Sequence, residues 1–414
     1  MKNKKGIDKG MLNKDNAREL AYVVKVDDIR PIAGRDRVEC AVVGGWTIMV
    51  RKDQFKPGDL GIYFEIDSQV PEKEPFMFLE AKHFKIKTQK YKTPDGQFWS
   101  QGLLMHAEDF GWEMLEDSIC DDEKNLHFDE GETRFLTQKL GVIYAVAEDN
   151  ARKANSVDKY KRMAQRNGKL FARQPFRWLM RHAWGRKVLF FFFGKSKDKK
   201  TGWPEWVKKT DEERIENMPW VFQNKSPFIA TEKIDGTSTT FTMKRGRFGK
   251  NDFFICSRNV VFDKPDKSCF YDTNVYIEMA QKYNIEEILT AILAENPQYE
   301  WITLQGETYG AGIQKRDYGL KDHDFAGFNF ITSTEGRWNS IKAKDFMNSK
   351  GIPWVPILDE NYILPDSVEE LRAFSHNEPS KIDGVIKEGI VFRSQDGVFS
   401  FKCVDPEFLL KYHG

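Results

Sequence analysis

The tetrapeptide Lys-Ile-Asp-Gly occurs twice, at 233–236 and at 381–384, and each copy ends in an Asp-Gly pair that reads as a tight turn. The first copy follows an apolar, β-branched run at 228–231 that reads as a strand, so Lys233 is expected at the mouth of a sheet. A lysine becomes nucleophilic only when its amine sheds a proton near neutral pH, through desolvation or nearby positive charge. Phosphoryl transfer also needs carboxylates for a divalent cation, and cations that absorb phosphate charge. The company each copy keeps therefore decides which lysine carries chemistry.

The first copy has that company. Arg258 in "CSRN" is a candidate phosphate clamp, and Glu307 lies on the strand-like "LQGETYG". Phe325, Phe328 and Phe330 of "FAGFNF" are candidates to stack on a purine. Strand alternation sends at least one of them to a core, which leaves Phe328 as the first choice and Phe330 as the second. Glu388 sits at a turn before a strand, and Lys402 lies fourteen residues beyond it. Together these make a coherent nucleotidyl-transfer site around Lys233. Only thirty-three residues follow Lys381, too few to build a pocket around it, so the second copy reads as a turn that presents Glu388. Taken singly, each residue has an ordinary reading. Arg258 alone is a surface cation, Glu388 and Lys402 a cross-strand ion pair, and Lys85, Lys87, Lys90 and Lys92 either a charged edge strand or an RNA path.

Along the chain, residues 18–110 alternate short β-branched runs with turns at Gly44-Gly45, Pro57-Gly58-Asp59 and Pro94-Asp95-Gly96. That spacing predicts a small barrel of the OB kind. Residues 151–200 carry sixteen Lys or Arg against two acids, interleaved with aromatics, a pattern suited equally to a nucleic acid or to a solvated basic connector. Parts of it read as helix interrupted at Gly168 and Pro175. Thr210 and Glu213 form a capping box that predicts a helix from Asp211. From 228 onward strand-like and helix-like stretches alternate, including one helical pattern that ends before Pro297. The expected division is 1–150, 151–220 and 221–414, in an α+β chain.

The five cysteines are scattered, and the seven histidines contain no H-x-x-x-H pair, which argues against a disulfide framework or a zinc site and for a reducing compartment. The first sixteen residues are polar, unlike a signal peptide, and the apolar run 188–193 is far short of the ~20 residues that span a bilayer. A soluble, intracellular, non-secreted protein is expected, without membrane contact.

K-x-D-G, then G-E, an aromatic strand, E-G-x-V and a closing lysine, in this order across 228–404, resemble the covalent nucleotidyltransferase superfamily of ATP-dependent ligases and mRNA capping enzymes. "PGDLGIYFEIDS", "SQGLL" and "KTDEERIENMP" further resemble the RNA ligases with an OB-like domain ahead of the transferase domain, RNA ligase family 5. Twelve residues follow Lys402, so the nucleic-acid-gripping module is expected N-terminal. The resemblance implies an N-terminal OB-like β-barrel followed by an antiparallel-sheet, ATP-grasp-like adenylyltransferase domain. It implies ATP and Mg²⁺ or Mn²⁺ as cofactors and RNA, as nicked duplex or broken ends, as partner of a monomer. By the same resemblance Lys233 attacks the α-phosphate of ATP and becomes lysyl-AMP, and Glu232, Asp235 and Gly236 complete the nucleotide-binding motif. Arg258 contacts the nucleotide, Glu307 the ribose and Phe328 the adenine; Glu388 engages the metal, and Lys402 neutralises the α-phosphate. Three positions depart from the pattern: Ser238 for an asparagine, Asn329 for an aspartate, and Ser400 for the first of two lysines. A DNA ligase, a GTP-using capping guanylyltransferase and a non-catalytic RNA-binding protein on the same scaffold stand as alternatives.

Overall fold

The structure is a computed structural model that describes residues 19–110, 135–144, 173, 175–193, 203–208, 212–246, 250–258, 261–262 and 274–413. The N-terminal runs form β1 (Ala21–Lys25), β2 (Asp28–Ile32), β3 (Arg35–Val43), β4 (Trp46–Arg51), β5 (Leu60–Phe64), β6 (Ser68–Gln69), β7 (Lys85–Ile86), β8 (Gln89–Thr93), β9 (Gly96–Ser100), β10 (Leu103–Met105) and β11 (Ile143–Tyr144). Gly44-Gly45 is the β3–β4 turn and Pro94-Asp95 the β8–β9 turn, as the sequence predicts. Among the described residues the strands pair as small open sheets, β1-β5-β10, β2-β3-β4, β6 with β7 and β11, and β8-β9, rather than as a closed ring. Leu20, Val23, Ile62, Phe64, Phe76 and Phe110 fill one core between them. Lys90 of the lysine-rich strand β8 is pinned over the Trp99 ring and bonded to Glu407, which joins that strand to the far end of the chain.

Of the basic stretch 151–200, only Arg173 and 175–193 are described, and they form α1 (Phe176–Arg181) and α2 (Ala183–Phe193). Gly168 lies outside the described residues. The helix expected from Asp211 is absent from the residues described there. Glu213–Arg214 is a strand, β12, followed by a 3-10 turn at Ile215–Asn217, while Thr210 and Asp211 lie outside the described residues. Pairing with a neighbouring strand outweighs the local capping preference.

The C-terminal part holds β13 (Phe228–Lys233), β14 (Thr237–Lys244), β15 (Asp252–Cys256), β16 (Val261–Phe262), α3 (Val275–Lys282), α4 (Ile285–Glu295), β17 (Trp301–Gly310), β18 (His323–Thr332), β19 (Gly336–Arg337), α5 (Ser340–Ser349), β20 (Ile357–Tyr362), α6 (Val368–Asn377), β21 (Gly389–Ser394) and β22 (Ser400–Val404). The single helical pattern before Pro297 breaks into α3 and α4 because Asn284 turns left-handed, at φ 48°. Two sheets result, ordered β12-β22-β21-β13-β20 and β16-β15-β14-β17-β18-β19, antiparallel throughout except that β12 runs parallel to β22. α3, α4 and α5 cover one face of the second sheet, with Phe241, Leu304, Phe325 and Phe330 in the core. α6 covers one face of the first, over Phe228, Ile390, Phe392 and Phe401. The uncovered faces of the two sheets are turned towards each other. No helix among the described residues is long and apolar enough to cross a membrane.

Residues 213–217 join the two parts. The Asn217 side chain accepts from Trp46 Nε1 at 2.7 Å and donates to Glu65 at 2.8 Å, and the Gly45 amide donates to the Glu216 carbonyl at 2.7 Å. The Glu216 carboxylate is fully buried and is met by Arg372 at 2.8 Å, which also reaches Gln101 at 2.6 Å. Removing one partner of such a pair strands a buried charge. Arg372→Ala is therefore expected to cost about 3–5 kcal/mol, while Arg372→Met combined with Glu216→Met recovers most of it. Thermal unfolding of both variants checks this; an equal loss in both would contradict it.

Candidate active site

β13 delivers Lys233 to the edge of the inter-sheet space. Phe228 and Ala230 point into the core below, so alternation turns Thr231 and Lys233 the other way. Lys233 pairs in register with Gly389 of β21, which brings Glu388, the residue before that strand, beside it: Nζ to Oε2 is 2.8 Å. Asp235-Gly236 then turns the chain into β14, whose Ser238 faces Glu307 of β17 in register. A Cβ on Gly236 would lie 2.3 Å from the Thr308 carbonyl oxygen and 2.9 Å from Glu307 Cγ, so the turn can pass over β17 only as glycine. The Gly236 amide donates to Glu307. Lys233, Asp235, Gly236, Glu307 and Glu388 are thus gathered around one point.

The second Lys-Ile-Asp-Gly serves that point without joining it. Its lysine is exposed and pairs only loosely with Glu378, at 3.5 Å. Its aspartate, Asp383, is gripped by Arg316, which also donates to the Ile386 carbonyl and lies 4.1 Å from the Tyr318 ring. Tyr318 in turn accepts the Asp235 amide at 2.7 Å, from a left-handed backbone with φ 57°. Glu232 closes the circuit. Its buried carboxylate accepts from the Ser380 hydroxyl at 2.5 Å and from the Lys381 amide at 2.8 Å. With that carboxylate held, any nucleotide contact from Glu232 falls to its backbone.

The facing sheet surfaces are polar. Arg393 of β21 donates to Asn329 of β18 at 3.3 Å and to Thr231 at 2.8 Å, and Asn329 donates to Gln305 at 3.1 Å. A register shift at Gln305/Gly306 leaves Phe328 between the paired residues Gly327 and Asn329. Phe325 and Phe330 are fully buried, but Phe328 is only partly so and lies 5.7 Å from the Arg393 guanidinium. Simple alternation would have buried Phe328 and Phe330 alike; at the bulge Phe328 packs only at the margin of the core that encloses Phe330. Lys402 lies on the face that carries Lys233, opposite Val391 and offset by two residues along β21. Ser400, in place of a lysine, donates to Glu212 at 2.5 Å and accepts from Arg337 at 3.0 Å. Arg258 is exposed after β15, with its guanidinium 5.9 Å over the Tyr144 ring of the N-terminal part.

Residues 226–413 match the RNA ligase family, and residues 20–106 match an OB-fold domain. The part of the chain that belongs to the RNA ligase family is thus its C-terminal domain. Among curated proteins none matches it. In fold it is similar to the Naegleria gruberi RNA ligase with PPi, at TM-score 0.67 and 24% identity, over 96% of this chain and 99% of that one. A mutant of the same Naegleria protein with ATP and Mn gives 0.68 and 24%, over 96% and 100% of the two chains. A further mutant with AMP and Mn gives 0.67 and 24%, over 96% and 99%. The fold is therefore an OB-fold domain followed by an RNA ligase nucleotidyltransferase domain.

In the ligase site burial alone would lower the pKa of the Lys233 amine, but the Glu388 and Glu307 charges outweigh it and hold the lysine above its ordinary value. Burial pushes the Glu307 carboxyl up to about 8; Lys233 pulls it back, and Glu388 and Asp235 push it further up. Burial also draws Arg393 down to about 10, which leaves it cationic at neutral pH. Among the described residues no group of three or more His, Cys, Asp or Glu forms a metal cage. Glu388 by itself fits a hard cation that brings its other oxygen ligands with it, as the phosphates of a nucleotide do. Sequence reasoning missed Arg316, Tyr318 and Arg393, which hold the site's loops and seam. No motif marks them, since each works through a partner far away in the chain.

If Glu388 sets the charge state of Lys233, Glu388→Gln in the nucleotide- and metal-free protein lowers the pH at which this amine becomes reactive by about 1–3 pH units. Amine acylation across a pH series, read at Lys233 by mass spectrometry, measures it. An unmoved midpoint would refute the assignment.

Proposed function

We propose that this RNA ligase is ATP-dependent and joins RNA 3′-hydroxyl and 5′-phosphate ends through lysyl-AMP on Lys233. The observation that carries the proposal is the Lys233–Glu388 contact of 2.8 Å with Glu307 beside it. The Naegleria structures with ATP and Mn, AMP and Mn, and PPi supply the nucleotide and metal by likeness. A divalent cation at Glu388, Mg²⁺ or Mn²⁺, would neutralise carboxylate and phosphate charge. Lys233, once its proton is released, attacks the α-phosphorus of ATP, and pyrophosphate leaves. Glu307, which accepts from the Gly236 amide, meets a ribose hydroxyl. Phe328 stacks on adenine, with Arg393 against its ring. Lys402 and Arg258 take phosphate charge, and the Asp235-Gly236 turn keeps the amine at the edge of the sheet. AMP then passes to the RNA 5′-phosphate, a 3′-hydroxyl displaces it, and a phosphodiester remains.

The substrate side is a nicked duplex or a broken RNA, handled by a monomer. The working division is 1–150 for the OB-like part, 151–220 for the basic insertion and 221–414 for adenylylation, with β12 reaching forward to pair with β22.

Incubation with α-labelled ATP is expected to label wild type and Lys381→Ala alike, and Lys233→Ala not at all. Labelling by GTP alone would mean a guanylyltransferase, and labelling by neither nucleotide a non-catalytic RNA-binding protein. Phe328→Ala is expected to raise the KM for ATP about 5- to 150-fold, the equivalent of the 1–3 kcal/mol that base stacking contributes. Phe330→Ala instead costs about 3–5 kcal/mol of stability with little change in KM. Steady-state kinetics beside thermal melts separates the two.

A further inference from the structure

The basic stretch has no part in the chemistry above, yet the described residues on either side of it touch the C-terminal domain. On the entering side, Tyr144 lies under the Arg258 guanidinium at 5.9 Å. On the returning side, residues 203–208 and Glu212 touch the polar faces of the two sheets. Trp206 Nε1 donates to Thr242 of β14 at 3.0 Å, and Gln305 of β17 donates to the Lys208 carbonyl at 2.9 Å. Glu212 accepts from Ser400 of β22 at 2.5 Å and lies 3.7 Å from Arg393. Phe193, the end of α2, is ten residues from Trp203, a span of at most ~35 Å. Whatever α1 and α2 bind is therefore held within reach of the cleft.

The surface of this helical pair is distinctive. From Arg173 to Phe193 there are five Lys or Arg and no acid. Arg177, Arg181 and Lys187 are exposed, as are the large rings of Trp178 and Trp184, at 48% and 55%. The two indoles meet edge to face at 5.9 Å, and His182 stacks within 6.3 Å of Trp184. Leu189 is buried and anchors α2, whereas Val188 and Phe191 continue the exposed face. A Cβ on Gly185 would lie 2.3 Å from the Leu179 carbonyl oxygen, so the second helix can fold back this closely only at glycine.

We propose that the α1–α2 hairpin is a docking platform for single-stranded RNA. Arg177, Arg181 and Lys187 take the phosphates, and the rings of Trp178 and Trp184 stack on unpaired bases. The proposal deepens the ligase reading, on which it rests for the nature of its strand. An anionic membrane is the competing partner. A membrane-surface helix segregates its cations on the face opposite its rings. Here Arg177 and Arg181 flank Trp178 on one exposed turn, and Lys187 is exposed between Trp184 and Val188. Rings and cations are thus mixed rather than sorted, the arrangement that follows a strand with alternating phosphates and bases.

The test uses the full-length protein and a short, fluorescein-labelled, 5′-phosphorylated single-stranded RNA, read by anisotropy over a salt series. Trp178→Ala with Trp184→Ala is expected to weaken binding about 5-fold or more, and the Trp→Phe pair to restore most of it. Arg177→Glu with Arg181→Glu and Lys187→Glu is expected to flatten the log affinity against log salt slope by about 2, as three phosphates are left without their cations. Labelling of Lys233 by α-labelled ATP stays at the wild-type level in every variant. Unchanged RNA affinity and salt slope in variants that melt like wild type would overturn the proposal. So would binding to phosphatidylserine vesicles that the variants lose while RNA affinity holds. Absence of Lys233 labelling in wild type would strike the ligase reading instead, and the anisotropy would still report on the hairpin.

Discussion

The ion pair between Lys233 and Glu388 is the contact around which the C-terminal domain is arranged. It needs β13 and β21 antiparallel and in register at Lys233 and Gly389. It also needs Glu307 close enough for its charge to act on the same ammonium, which sets how the second sheet lies against the first. An amine held this way is a poor nucleophile. The electrostatic balance keeps the proton on until something positive offsets the carboxylates.

Two layers of support keep that contact in place. Near it, Tyr318 holds the Asp235 amide while Arg316 clamps Asp383 and the Ile386 carbonyl, and Glu232 caps the second turn. Each link ties the loop that carries Lys233 to the loop that carries Glu388. Further off, Arg393 joins the two sheets through Asn329 and is steadied within its own sheet by Thr231. A polar seam of this kind is retained only if its donors and acceptors are matched, since an unmatched buried group costs about 1–3 kcal/mol. The departures Asn329 and Ser400 belong to it. Each side chain accepts an arginine across the sheets, Asn329 from Arg393 and Ser400 from Arg337.

The N-terminal domain is held by a different kind of contact. Residues 213–217 add a strand to the ligase sheet and, within five residues, satisfy Trp46, Glu65 and Gly45 of the OB-fold domain. Local sequence favoured a helix there, with Thr210 and Glu213 as its capping box. A capping preference is worth about 1 kcal/mol, and it loses to a buried strand pairing with two domains to connect.

The sequence by itself marked most of the strands and turns and singled out Lys233 from its repeated partner. Period-two alternation and Asp-Gly turns are local signals, and the order of Lys233, Glu307, Glu388 and Lys402 along the chain survives any folding. What only the tertiary structure decided depends on register and on residues far apart in the chain. At the β17–β18 bulge Phe328 stays partly exposed while Phe330 is fully buried, although the spacing of two residues predicts the same environment for both. Arg316 and Asp383, sixty-seven positions apart, meet only because both turns reach the same cleft. The repeated Lys-Ile-Asp-Gly is the clearest case. Its two copies are alike as sequence, and they differ because one ends a sheet strand beside two carboxylates while the other closes a turn at the surface.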